Sequence, residues 1–270
     1  MHEIIPFPGS FTTVVSPAAT LKSMFGLSPK LPVTDEERLW VDDGFHRLGR
    51  MLGWSRMHNA SVILPTDEHF PDPWDRSEAG LEALFRRVCG YMGVARHKVE
   101  LAVNPDSAEL LDLLPAYNES PNDPAGLHFA GEDEHPLIAV RRSLLKDPVS
   151  LVATLAHELG HVILLDGGHL RRDAEDMEPM TDLVTVYLGL GVFTANTARR
   201  FLQYQEDTRQ GWSMQRLGYL PEVVYGYALA RFAKDRGEDH PEWTRHLSTN
   251  LKTWFRQSAA WLRKDSRPIE

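Results

Sequence analysis

Apolar residues recur along this chain with two different periods. From Thr34, Leu39, Trp40, Phe45, Leu48 and Leu52 follow at helical spacing, and Thr34 with Glu37 three residues later forms a capping box. A second helix is expected from Ser77 to Met92, with Leu81, Leu84, Phe85, Val88 and Met92 on one face and Gly93 as its stop. Short strands are expected at 61–64, 99–103, 126–130 and 137–140, and a short helix at 105–114. The strands at 126–130 and 137–140 are separated by an acidic turn and are close enough to pair as a hairpin. After Lys146 the period is helical throughout, in segments near 148–165, 177–190, 193–205, 221–236 and 241–263. The stripe Trp243, Leu247, Leu251, Trp254, Phe255 and Leu262 is expected to pack against the body of the protein.

Strands come first and helices later, without regular alternation, so the pattern predicts an α+β fold. A small mixed or antiparallel sheet should pack on the helix near 148–165, with a helical C-terminal part after it. Residues 1–33 hold five prolines and no period and read as an extended arm. Residues 34–146 form an α/β part and 147–264 a helical part, expected to make one compact unit, and 265–270 form a tail. No internal repeat is visible.

Composition narrows the function classes. The chain has 270 residues and a formal net charge of −9, which disfavours a phosphate-backbone surface, so no nucleic-acid partner is expected. Its single cysteine, Cys89, excludes an intrachain disulfide, fits a reducing compartment and reads as a small buried hydrophobe. The N-terminal residues lack a signal-peptide pattern, and no apolar run is expected to reach the ~20 residues of a membrane span. The expectation is therefore a cytoplasmic protein with no membrane partner.

Chemistry concentrates in the helix near 148–165. Asp147 can cap it, Pro148 suits its first position and Gly167-Gly168 ends it. Inside it stand His157, Glu158 and His161 in the spacing H-E-x-x-H. Positions i and i+4 lie on one helical face, so both imidazoles can reach one ion, with the carboxylate beside them. Leu151, Val152, Leu155, Leu159, Val162 and Ile163 bury the helix on more than one side. Three polar groups in such a helix need partners or they cost several kcal/mol together. Gly160, unfavourable in mid-helix, points to close approach of another backbone or of substrate.

A catalytic zinc needs a third protein ligand and an open position. The metzincin spacing would require Gly at 164 and His at 167, where the chain has Leu164 and Gly167. The deformylase arrangement would require an upstream cysteine, but Cys89 stands in a helical pattern. His169, Asp166 and Asp173 are alternatives on the residues alone. On the next helix, capped by Asp176, Glu178 and Asp182 are i and i+4 and share a face. H-E-x-x-H followed by E-x-x-x-D resembles the gluzincin, or thermolysin-like, zinc metallopeptidases. The resemblance covers 148–182; Met177 stands where that group often has asparagine, and the connecting loop is shorter than in thermolysin.

The resemblance implies that His157, His161 and Glu178 bind Zn2+. It also implies that Asp182 hydrogen-bonds His157, and that Glu158 takes a proton from the attacking water and passes it to the leaving amine. The substrate would be a peptide or protein, which the strand at 137–140 could receive as an edge. Tyr225, Tyr227 and His246 are candidate transition-state donors from the C-terminal part. Two alternatives stand beside this reading: a regulatory ImmA/IrrE-like protease with one dedicated target, and a zinc-stabilised interaction protein without catalysis.

Overall fold

In the computed structural model the described residues are 30–104, 126–129, 135–206 and 220–264. The expected arm up to residue 29, the short helix at 105–114, the acidic turn at 131–134 and the tail lie outside them. The first helix, α1 (Asp35–Leu52), begins as its sequence dictates. Thr34 Oγ1 accepts from Glu37 N–H at 3.2 Å, and Glu37 Oε2 accepts from Thr34 N–H at 2.8 Å. A short α2 (Trp54–His58) follows, then α3 (Glu78–Met92), with Ser77 as N-cap and Gly93 left-handed at its C-terminus. Cys89 of α3 is buried, and burial pushes its thiol up to about 12, which makes it an inert core residue.

The expected strand at 61–64 is not one. This segment is extended but joins no ladder, and Ile63 N–H donates to the carbonyl of Gly189 at 2.9 Å. Gly189 has φ 88, and a side chain there would collide with the Ser61 carbonyl, so only glycine permits this approach.

Three strands form one sheet: β1 (Glu100–Asn104), β2 (Gly126–Phe129) and β3 (Leu137–Arg141), in the order β1-β3-β2. β1 runs parallel to β3, with Ala102 opposite Ala139, and β2 runs antiparallel to it, with Leu127 opposite Ala139. The sheet is therefore mixed and not antiparallel throughout. β3 is its central strand, so residues 137–140 have both ladder edges occupied and are not the free edge expected from sequence.

The helical part comprises α4 (Pro148–His161), α5 (Met177–Tyr187), α6 (Gly191–Glu206), α7 (Glu222–Asp235) and α8 (Thr249–Lys264). The segment expected at 241–263 is divided, because a 3-10 turn at Glu242–His246 precedes α8. The apolar stripe of this region faces inward as expected, with Trp243, Leu247, Leu251, Phe255 and Leu262 buried. One continuous apolar core runs from Val33 to Leu262, drawing on both the α/β and helical parts.

α4 lies at the centre, against α3, α5, α6, β2 and β3. Asp147 caps it by accepting from Ser150 N–H, and every residue from Pro148 to His161 is buried. The helix does not stop at once: residues Val162–Asp166 form a π-helical turn before Gly167. The whole stretch Pro148–Asp166 spans 19 residues with mean hydropathy 1.5, long and apolar enough to match a membrane span by composition, contrary to expectation. Because 83% of it is buried inside the fold, its apolar surface is already covered by protein.

α4 and α5 meet at Gly160. A Cβ there would sit 2.9 Å from Thr181 Cγ2 and 3.1 Å from the Thr181 carbonyl oxygen. The expected close approach is thus that of the α5 backbone. Replacing Gly160 by alanine relieves about 1 kcal/mol of helix propensity but overpacks a backbone contact that cannot rotate away, which costs about 1–3 kcal/mol. Gly160→Ala should therefore lower stability in denaturant unfolding; an unchanged or raised midpoint would show that the two helices can separate freely.

Candidate metal centre

Close packing at Gly160 brings the polar residues of α4 and α5 together. His157, His161 and Glu178 each contribute a donor atom, and these atoms lie within 4.8 Å of one another. Glu178 Oε2 is 3.0 Å from His157 Nε2 and 3.5 Å from His161 Nε2. Ligand atoms around a tetrahedral zinc stand about 3.3 Å apart, given bonds of about 2.0–2.1 Å. Both carboxylate–imidazole separations thus already stand near those that one small divalent ion requires. The two imidazole planes are nearly perpendicular, at 86°.

The opposite side of each ring is fixed by α5. His157 Nδ1 is 2.9 Å from Asp182 Oδ1, and a carboxylate can only accept, so this nitrogen carries the proton. His161 Nδ1 is 3.3 Å from Thr181 Oγ1, whose own hydrogen is donated to the Met177 carbonyl at 2.9 Å. The hydroxyl must then accept from His161 Nδ1–H. Both Nδ1 atoms are thus committed to α5 and both Nε2 atoms are turned toward Glu178; because a carboxylate only accepts, the 3.0 Å contact is His157 Nε2–H donating to Glu178 Oε2, a proton that a metal ion would replace at the same nitrogen.

Asp182 is itself held in place. Its second oxygen accepts from Leu220 N–H at 2.7 Å, immediately before α7, and Thr185 Oγ1 donates to its carbonyl at 2.6 Å. The phenol of Tyr225 also lies against this carboxylate. Asp176, expected as the cap of α5, makes no capping bond and pairs with Arg47 of α1. Its carboxylate is spent on holding α5 to α1.

The structure brings Glu178 to the two histidines and leaves the other third-ligand candidates elsewhere. His169 is exposed, Asp166 pairs with Arg172 at 3.2 Å and Asp173 with Arg171 at 2.7 Å. Among the described residues this is the one group of three or more potential ligands. Glu158 follows His157 on α4 and is 2% exposed. Of the candidate donors from the C-terminal part, Tyr225 is buried beside Asp182, and Tyr227 donates to Asp42 Oδ1 at 2.9 Å. His246 is buried and accepts from Arg245 Nε at 3.1 Å. Each is used within the fold. Thr181 and the Leu220 amide escaped the sequence reading. Thr181 carries a weak signal, since it lies one residue before Asp182 on the ligand helix; a backbone amide 38 residues away carries none.

Electrostatics favour a cation in this cluster. Burial by itself lowers the pKa of His157, but hydrogen bonds and charge from Asp182 and Glu178 outweigh it and raise the pKa well above the ordinary value. Burial raises Glu178, yet its contacts with His157 and His161 prevail and hold it far below the usual carboxylate range. A raised histidine stabilises the fold fully below its unfolded pKa of about 6.5 and loses that effect as pH rises through the raised value. A depressed glutamate stabilises above its unfolded pKa of about 4.3 and loses that effect as pH falls through the lowered value. Both contributions are complete between about pH 4.3 and 6.5.

A metal ion at His157 Nε2 competes with this proton. Uptake of a divalent transition-metal ion near neutral pH should release about one proton per ion, and affinity should fall as pH is lowered. Calorimetric titrations in buffers of different ionisation enthalpy measure this directly; buffer-independent heats would contradict it.

No family model matches this chain, and no match was found among curated proteins or solved structures.

Proposed function

We propose that this protein is a zinc-dependent peptide hydrolase of the gluzincin type, with His157, His161 and Glu178 as ligands, Asp182 orienting His157 and Glu158 as the base. The observation that carries the proposal is the convergence of both Nε2 atoms on one carboxylate, with both Nδ1 atoms already committed to Asp182 and Thr181. Two imidazoles and one carboxylate suit zinc among the common divalent ions and leave a tetrahedral position open. When bound, zinc supplies Lewis acidity that polarises a carbonyl and lowers the pKa of water toward ~7.

The remaining work belongs to side chains. Glu158 is a carboxylate that the ligand set does not need. In the proposed reaction it accepts a proton from water as the water oxygen bonds to the peptide carbonyl carbon. As the C–N bond breaks, Glu158 returns that proton to the departing nitrogen, so the amine leaves neutral. Asp182 keeps His157 basic and correctly turned throughout. With β3 enclosed, an extended substrate would have to pair along a ladder edge of β1 or β2. A cytoplasmic location and the absence of nucleic-acid partners remain parts of the same proposal.

Glu158 separates catalysis from a purely structural site, which needs ligands but no base. Glu158→Gln should bind metal as wild type does and lose about 10²–10⁴-fold in peptide cleavage. Cleavage is read by mass spectrometry on a peptide library cut by the wild-type protein. Undiminished cleavage by Glu158→Gln would remove the base from this mechanism. Metal binding without cleavage by the wild type would favour the interaction-protein alternative.

A further inference from the structure

A second feature lies on elements that carry none of the metal-centre residues. α8 and the segment before it line a half-open pocket of about 350 Å³, within the usual range of small-ligand sites, with Arg256 and Arg263 exposed at its surface. Lys252, Arg256 and Arg263 line it. Their positions are i, i+4 and i+11, so all three leave the helix on one face. Ala259, at i+7 on that face, is the small residue that leaves room between the two guanidinium groups. Phe255 and Pro241 supply an apolar wall. Asp239 is the one acidic group in the lining.

This concentration of positive charge runs against the rest of a chain with net charge −9. Six arginines elsewhere, Arg38, Arg47, Arg87, Arg96, Arg231 and Arg236, pair with carboxylates. Lys252, Arg256 and Arg263 have no such ion pair among the described residues. The charge of Lys252 also reaches His246, whose pKa is lowered by burial first and then by Arg245, Lys252 and His69. Three like charges on one face repel one another, and no carboxylate of the described residues pairs with them to relieve that repulsion.

We propose that this cavity binds a small, multiply charged oxyanion, of the phosphate or polycarboxylate class, with Arg256 and Lys252 as principal contacts and Arg263 closing the far end. Guanidinium groups match such oxygens bidentately, and the ammonium adds a point charge. The separation of this site from α4 and α5 makes it independent of the metal centre.

Inorganic pyrophosphate titrated calorimetrically into the full-length protein tests the proposal, with citrate in parallel to separate phosphate from carboxylate recognition. Saturable binding at one site is expected. Arg256→Ala and Lys252→Ala should each weaken it about tenfold, the loss of one charge-assisted hydrogen bond. Arg256→Lys should recover part of that loss, and Arg171→Ala, on a distant exposed loop, should change nothing. Equal melting temperatures across the set exclude unfolding as the cause. No saturable binding of either anion would overturn the proposal. So would equal affinity in all the charge variants, or an affinity lost in Glu178→Ala but kept in Arg256→Ala, which would place the anion at the metal centre instead.

Discussion

Everything at the candidate centre depends on how closely α4 and α5 approach at Gly160. The Thr181 carbonyl sits 3.1 Å from where a side chain at 160 would begin. At that separation one turn of α5 spans both histidines of α4. Glu178 reaches their Nε2 atoms, while Thr181 and Asp182 reach their Nδ1 atoms. A wider spacing would take their α5 partners from two buried imidazoles, at a cost of several kcal/mol. The same contact thus sets the packing, the orientation of both rings and the geometry of the candidate centre.

That constraint is held from several sides. Arg47 of α1 takes the Asp176 carboxylate at the start of α5, and the Leu220 amide takes the far oxygen of Asp182 at the start of α7. α1 and α7 are in turn joined by an ion pair from Arg231 and a hydrogen bond from Tyr227, both to Asp42. Asp182 and the Arg231 guanidinium are buried, so their contacts are costly to break, because a buried charge left alone loses both its partner and its water. The centre is therefore positioned by helices that contribute no donor atom to it.

Much of this was legible in the sequence because it depends on local rules. The capping box at Thr34, the Ser77 and Asp147 caps, Gly93 as a stop and the i, i+4 pairs all act within one helical turn. Gly160 announced a close approach because glycine is unfavourable in mid-helix. Long-range features were not legible. Strand order placed residues 137–140 at the centre of the sheet, which alternation along a single strand cannot reveal. Residues 61–64 look like a strand because a lone extended segment and a paired one share the same apolar run; only the Gly189 contact distinguishes them. Asp176 read as a cap, but its carboxylate was drawn away by an arginine 129 residues distant. Likewise, the apolar run of α4 resembles a membrane span because a helix packed on all sides needs the same composition as one surrounded by lipid.

The central claim is that one zinc ion is held between α4 and α5. Anomalous diffraction at the zinc absorption edge, from crystals of protein purified without chelators, tests it most directly. The account predicts a single strong peak within bonding distance, about 2.0–2.2 Å, of His157 Nε2, His161 Nε2 and a Glu178 oxygen. No peak there, or a peak coordinated by other residues, would contradict it.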